Sequence, residues 1–206
     1  MIRSDAKEVI MYKRQLIWQK ILCFAALAVS GLVFLYSLGL MTDLYDSLYT
    51  TMMDPLNIDD TWVTGSQVYY HMQPYNKTLL GYAIGMILLG CLLFITSTHA
   101  RRRYYVGNLV ATAAYAVGGI ALSVWAHFQS EFYKAEFLQI NFEELQFFAE
   151  MWESPYIDST FWFDAHFAVF GLVMLVVVML VVNFIWKLCL MKAEKKLIEE
   201  GKKVSA

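Results

Sequence analysis

Residues 21–41 read ILCFAALAVSGLVFLYSLGLM, a run of 21 residues without Asp, Glu, Lys or Arg. A helix of about 20 apolar residues crosses a hydrocarbon core of about 30 Å, so this run predicts a membrane span. Three further uncharged runs of similar length lie at residues 79–98, 106–126 and 165–186. We therefore predict an all-α membrane protein whose four transmembrane helices form an antiparallel bundle.

The composition agrees with a chain that lies mostly in lipid. Of the 206 residues, 59% are hydrophobic and 17% are charged, against about 45–50% and about 25% in an ordinary soluble domain. These proportions argue against a soluble enzyme and a protein that binds nucleic acid, and the long uncharged runs argue against a β-barrel. The lipid bilayer is thus the first expected partner.

The distribution of basic residues predicts the orientation of the chain. Of its 16 Lys and Arg residues, 14 precede the first run, join the second run to the third, or follow the fourth. Cytoplasmic flanks of membrane spans are enriched in Lys and Arg, so both termini are expected in the cytoplasm. The first run is also longer than the apolar core of a cleaved signal peptide, which predicts a retained anchor. Outer loops without Cys favour the plasma membrane of a bacterium.

These boundaries divide the chain into nine predicted segments. They are a cytoplasmic tail (1–20), a first span (21–41, its helix extended to 53), an outer loop (42–78), a second span (79–98), a short cytoplasmic turn (99–105), a third span (106–126), a second outer loop (127–164), a fourth span (165–186) and a basic cytoplasmic tail (187–206).

The two outer loops carry patterns of their own. The β-branched and aromatic residues around Gly65, over 61–72, predict a short hairpin. Residues 129–152 contain neither Gly nor Pro and predict an amphipathic helix. Its apolar stripe is an expected interaction surface and comprises Leu138, Phe142, Leu145, Phe148 and Trp152. We expect the helix and the hairpin to form a small extracytoplasmic cap.

The first functional hypothesis is a non-enzymatic accessory or scaffolding subunit of a bacterial membrane complex, such as an ABC-type transporter. No Asp, Glu, Lys or Arg lies within the four runs, and charged solutes or protons usually cross a membrane by way of ionisable groups in mid-span. Motifs for nucleophilic catalysis, phosphate binding and zinc proteases are also absent from the sequence. Neither a catalytic residue nor a cofactor is therefore assigned. The expected partners are other membrane or extracytoplasmic proteins, which would dock on the cap.

The second hypothesis is a small haem- or metal-binding membrane redox protein. His127 follows the third run and His166 lies at the start of the fourth, so antiparallel helices could bring both imidazoles to one level. The alternative for these weak candidate ligands is interfacial histidines hydrogen-bonded to Glu131, Asp164 or water. Whether His71 joins them is not determined by the sequence.

Overall fold

The computed structural model describes residues 2–54, 57–98 and 106–204. The predicted turn over 99–105, with its three arginines, lies outside the described residues, as does Pro55. The elements are, in chain order, α1 (Ile2–Thr51), β1 (Met52–Asp54), β2 (Asn57–Thr61), α2 (Val68–His71), α3 (Gln73–Thr98), α4 (Val106–Phe137), α5 (Phe142–Trp152) and α6 (Phe161–Val204).

Four helical segments are long and apolar enough to cross a membrane, which confirms the predicted all-α membrane protein. They are Lys13–Leu48, Val68–Ser97, Val106–Phe137 and Phe161–Ala193. The helices extend well beyond the uncharged runs, because α1 spans 50 residues and α6 spans 44. The predicted extension of the first helix is present and ends at Thr51. The described parts of both predicted tails continue the terminal helices.

The predicted hairpin over 61–72 was wrong. A two-stranded antiparallel ladder instead joins β1 to β2, and α2 occupies Val68–His71. Gly65 has φ +84°, and a Cβ there would meet the backbone oxygen of Gln139 at 2.7 Å. This turn leads into α2, where Val68 and Tyr69 are buried. Strand propensity depends on packing, and here burial of these side chains favours the helix.

The single amphipathic helix expected over 129–152 was also wrong. Helix α4 continues to Phe137, and α5 begins at Phe142 after a short turn. Asn141 caps α5, since its side chain accepts a hydrogen bond from the Glu144 backbone N–H at 3.4 Å. The Asn141 N–H in turn donates to the Thr64 carbonyl at 3.0 Å. An asparagine that supplies a cap and a tertiary hydrogen bond breaks the helix where periodicity alone would continue it.

The described residues fall into two compact units. Unit 1 comprises those within Met1–Val29, Met86–Ile120 and Val173–Ala206. Unit 2 comprises those within Ser30–Gly85 and Ala121–Leu172. Each unit contains a segment of α1, α3, α4 and α6, and unit 2 also contains β1, β2, α2 and α5.

Small residues bring helices close together in unit 1. A Cβ on Gly119 of α4 would meet Val177 of α6 at 2.9 Å, and one on Gly90 of α3 would meet the Leu27 backbone of α1 at 3.3 Å. Van der Waals contact between closely approaching backbones is a main source of helix association in lipid. These glycines therefore mark tight helix contacts.

A buried network of amides and one lysine also connects the helices of unit 1. Gln19 Nε2 donates to Asn108 Oδ1 at 2.6 Å, and Lys187 Nζ donates to the same oxygen at 3.1 Å. Gln15 Nε2 donates to Asn183 Oδ1 at 3.4 Å. All five side chains are buried. Since an unpaired polar group is costly away from water, the network gives these side chains partners in the mostly apolar interior of the unit.

Candidate metal site

His127 of α4 and His166 of α6 lie side by side in unit 2. His127 Nδ1 is 3.0 Å from His166 Nε2, and the ring centroids are 5.3 Å apart. The sequence placed both residues near the ends of consecutive spans. The structure shows in addition that the two rings face each other.

The surroundings of His166 define which nitrogen carries its proton. The ring is 1% exposed, and its Nδ1 contacts the backbone carbonyl of Phe163. A carbonyl oxygen only accepts hydrogen bonds, so Nδ1 of His166 is the protonated nitrogen. In the neutral ring Nε2 then bears a lone pair and accepts from His127 Nδ1–H. A buried imidazole nitrogen with a lone pair is thereby held at a defined position.

Glu131 completes a cluster of three potential metal ligands. It lies four residues after His127, which places both side chains on the same face of α4. Its Oε1 is 3.9 Å from His166 Nε2, and one ligand atom from each of the three residues lies within 4.8 Å of the others. Glu131 is 45% exposed, so the cluster is open to solvent on its side. The four-residue spacing of His127 and Glu131 is the signal in the sequence that could have identified Glu131 as the third potential ligand.

The geometry is close to what a single transition-metal ion requires. Two ligands of a tetrahedral zinc ion at about 2.0–2.1 Å lie roughly 3.3 Å apart. The His127–His166 separation of 3.0 Å and the His166–Glu131 separation of 3.9 Å fall on either side of that value. For His127 to bind through Nδ1, its proton must move to Nε2. The Phe163 carbonyl plays the part that second-shell acceptors commonly play for a metal-bound histidine.

A haem does not fit this pair of histidines. Axial ligands lie on opposite faces of the porphyrin, with about 2.0 Å from each nitrogen to a metal and hence roughly 4 Å between them. The two nitrogens here are 3.0 Å apart and share a hydrogen bond. No macrocycle can lie between them in this arrangement.

Asp164, the other acid considered as a partner of the histidines, is engaged elsewhere. Its Oδ1 pairs with Lys134 Nζ at 2.5 Å, and its Oδ2 accepts from Thr160 Oγ1 at 2.7 Å. His71 is exposed, and its backbone carbonyl accepts from the Tyr133 hydroxyl at 3.0 Å. Neither Asp164 nor His71 belongs to the ligand cluster that the described residues form.

Two aromatic side chains lie beside the imidazoles of the cluster. The Phe167 ring lies 4.0 Å from the His166 ring and 5.5 Å from the His127 ring, and Phe128 lies 5.8 Å from His127. Phe128 is 67% exposed and Phe167 is 56% exposed, so these rings border the imidazoles without enclosing them.

The predicted interaction stripe divides between packed and exposed residues. Leu145 is fully buried, Phe142 and Phe148 are half-buried, and Trp152 and Leu138 are exposed. Within unit 2 the stripe meets the segment after β2, because the Trp62 ring is 5.8 Å from that of Phe148 and 5.9 Å from that of Trp152.

Two further apolar residues of α5 lie outside the predicted interaction stripe. Phe147 is 59% exposed and Met151 is also exposed. They lie four residues apart on a second face of the helix, which a search for one apolar stripe passes over. The signal that could have identified them is the presence of large apolar residues on both sides of α5.

No family model, curated protein or solved structure matches the chain.

Proposed function

We propose that this chain is a metal-binding membrane protein whose site is formed by His127, Glu131 and His166. The observation that carries the proposal is the convergence of three ligand atoms from two spanning helices within 4.8 Å. Two imidazoles and one carboxylate suit a divalent transition metal such as Zn²⁺ or Fe²⁺, whereas Ca²⁺ and Mg²⁺ prefer oxygen ligands. An ion bound there would cross-link α4 and α6.

The site is partly preorganised for binding a metal ion. His166 is already oriented by the Phe163 carbonyl, so less ordering of the ring accompanies binding. Three protein ligands leave a fourth tetrahedral position for water, and the exposed Glu131 lies on the solvent side. This combination is typical of metal sites whose ion exchanges or binds a small ligand.

Metal titration tests this proposal. The protein is purified without a histidine tag, treated with a chelator, and titrated with Zn²⁺ in a calorimeter, with bound metal measured by mass spectrometry. We expect one Zn²⁺ per chain and a rise in the unfolding temperature, since a ligand at 100 times its Kd stabilises the folded state by about 2.7 kcal/mol. Mg²⁺ is the matched control. Equal responses to Zn²⁺ and Mg²⁺, or neither binding, would contradict the proposal.

A second candidate function is the accessory or scaffolding subunit of a membrane complex. Phe147 and Met151 expose apolar area on α5, and Glu143 and Glu150 lie beside them on the same helix. Such a surface suits a protein partner with an apolar patch bordered by basic residues. We also propose that both termini lie in the cytoplasm of a bacterium, which the basic flanks support.

Substitution on α5 tests the docking surface. The double variant Phe147→Ser/Met151→Ser removes exposed apolar area without touching the buried Leu145, so partners recovered by cross-linking in native membranes should decline. The Glu150→Gln variant should lower their recovery much less than the double variant, because one solvated charge at the edge of the surface contributes little. If wild type and the double variant recover the same partners equally, this surface is not where they dock.

A further inference from the structure

Unit 1 contains an apolar groove between its segments of α1 and α6. The groove has a volume of about 270 Å³. Its walls include Trp18, Leu22, Val178, Val182, Asn183 and Trp186. Asn183 contributes its amide to the buried network as well, so the groove adjoins that network.

The end of unit 1 beside this groove is strongly basic. The described residues of unit 1 include 11 Lys and Arg against five Asp and Glu. The cations nearest to the groove residues in the sequence are Lys13, Arg14, Lys20, Lys187 and Lys192. Arg14 lies one turn before the groove residue Trp18 and therefore on the same face of α1. The groove thus ends beside a cation on a surface where basic residues outnumber acidic ones.

Lys187 adds a charge that no described carboxylate neutralises. Its side chain is buried and donates to Asn108 Oδ1, but it takes part in none of the ion pairs among the described residues. Lys187 lies four residues after Asn183, on the same face of α6. Its positive potential therefore acts beside the groove in a medium of low dielectric constant.

Trp18 and Trp186 locate the basic end of the groove relative to a bilayer. Tryptophan is enriched at the level of lipid headgroups, and both residues line the groove towards its Arg14 end. A lipid at that depth would present its phosphate to Arg14 and its acyl chain to the apolar walls. Basic pockets between transmembrane helices are known to bind anionic headgroups.

We propose that this groove is a specific site for an anionic phospholipid, with one acyl chain between α1 and α6 and the phosphate against Arg14. The inference is independent of the metal site, which lies in unit 2. Charge complementarity selects the occupant, because a zwitterionic headgroup gains less than an anionic one from a surface of net positive charge.

Native mass spectrometry of the intact protein tests the proposal. The protein is reconstituted in nanodiscs of phosphatidylglycerol and phosphatidylcholine in equal amounts, then released with mild activation. We expect one phosphatidylglycerol to remain bound, and Arg14→Gln to lower its retention about fivefold, as expected for one basic residue at an anionic surface. Lys20→Gln is the matched control, since Lys20 lies two residues after Trp18 and faces away from the groove.

A second pair of variants tests the acyl-chain part of the site. Val182 lines the groove and is exposed, so Val182→Trp should fill the groove and abolish retention without disturbing the core. Val181→Trp, on a neighbouring exposed position, should leave retention unchanged. Equal retention of both lipids, full retention in Arg14→Gln or Val182→Trp, or a dimer mass with no lipid would overturn the proposal.

Discussion

Replacement of His166 by alanine is expected to lower the affinity for Zn²⁺ by more than about 100-fold. Loss of a second-shell partner alone typically costs about 10–100-fold, and His166 is a proposed ligand held in position by the Phe163 carbonyl. His127→Ala should have an effect of the same order. His71→Ala should bind Zn²⁺ like wild type, because His71 is outside the cluster.

The Glu131→Gln variant distinguishes the loss of a metal ligand from a loss of folding stability. His166 is buried, so its removal could weaken unit 2 itself, whereas Glu131 is on the surface and its amide analogue preserves shape. We expect Glu131→Gln to unfold at the wild-type temperature without metal and to show a smaller Zn²⁺-induced rise. Wild-type Zn²⁺ affinity in both His127→Ala and Glu131→Gln would show that the ion binds elsewhere.

Leu145→Ala is expected to destabilise unit 2 by about 2–5 kcal/mol, the usual cost of a cavity left by a buried leucine. Leu145 is fully buried on the face of α5 that packs inwards. The measurements are thermal unfolding in detergent and the rate of proteolysis between α4 and α6.

Phe147→Ala on the same helix is the matched control. Phe147 is a larger side chain but an exposed one, so its truncation should change stability by no more than about 0.5 kcal/mol. Equal losses in the two variants would mean that α5 does not pack as the structure has it. A loss of stability confined to Phe147→Ala would mean that the face of α5 carrying Phe147 is buried when the protein is in the membrane.

The sequence alone was sufficient to predict the four spanning helices. A run of uncharged residues long enough for a bilayer is a local property, since every backbone polar group must be satisfied within the segment. The continuation of α1 beyond Met41 was likewise predictable, because its apolar residues kept a helical spacing and no breaker preceded Asp54.

Elements between the spans were less predictable. Residues 67–72 have strand-like composition, yet burial of Val68 and Tyr69 makes part of that stretch helical. The break at Asn141 depends on its hydrogen bond to Thr64, which is 77 positions away in the chain. A periodicity over adjacent residues contains no information about such a distant partner.

In the candidate metal site, too, one part was predictable from the sequence and another part depends on tertiary structure. The sequence placed His127 and His166 at corresponding ends of consecutive spans, because helix length and connectivity determine depth. Tertiary structure alone decided that the His166 ring meets the face of α4 that carries His127 and Glu131. That outcome depends on the rotation of α4 and α6 about their own axes. In lipid the outer surface of a helix is as apolar as its packed surface, so hydrophobicity does not reveal that rotation, and only the contacts between helices determine it.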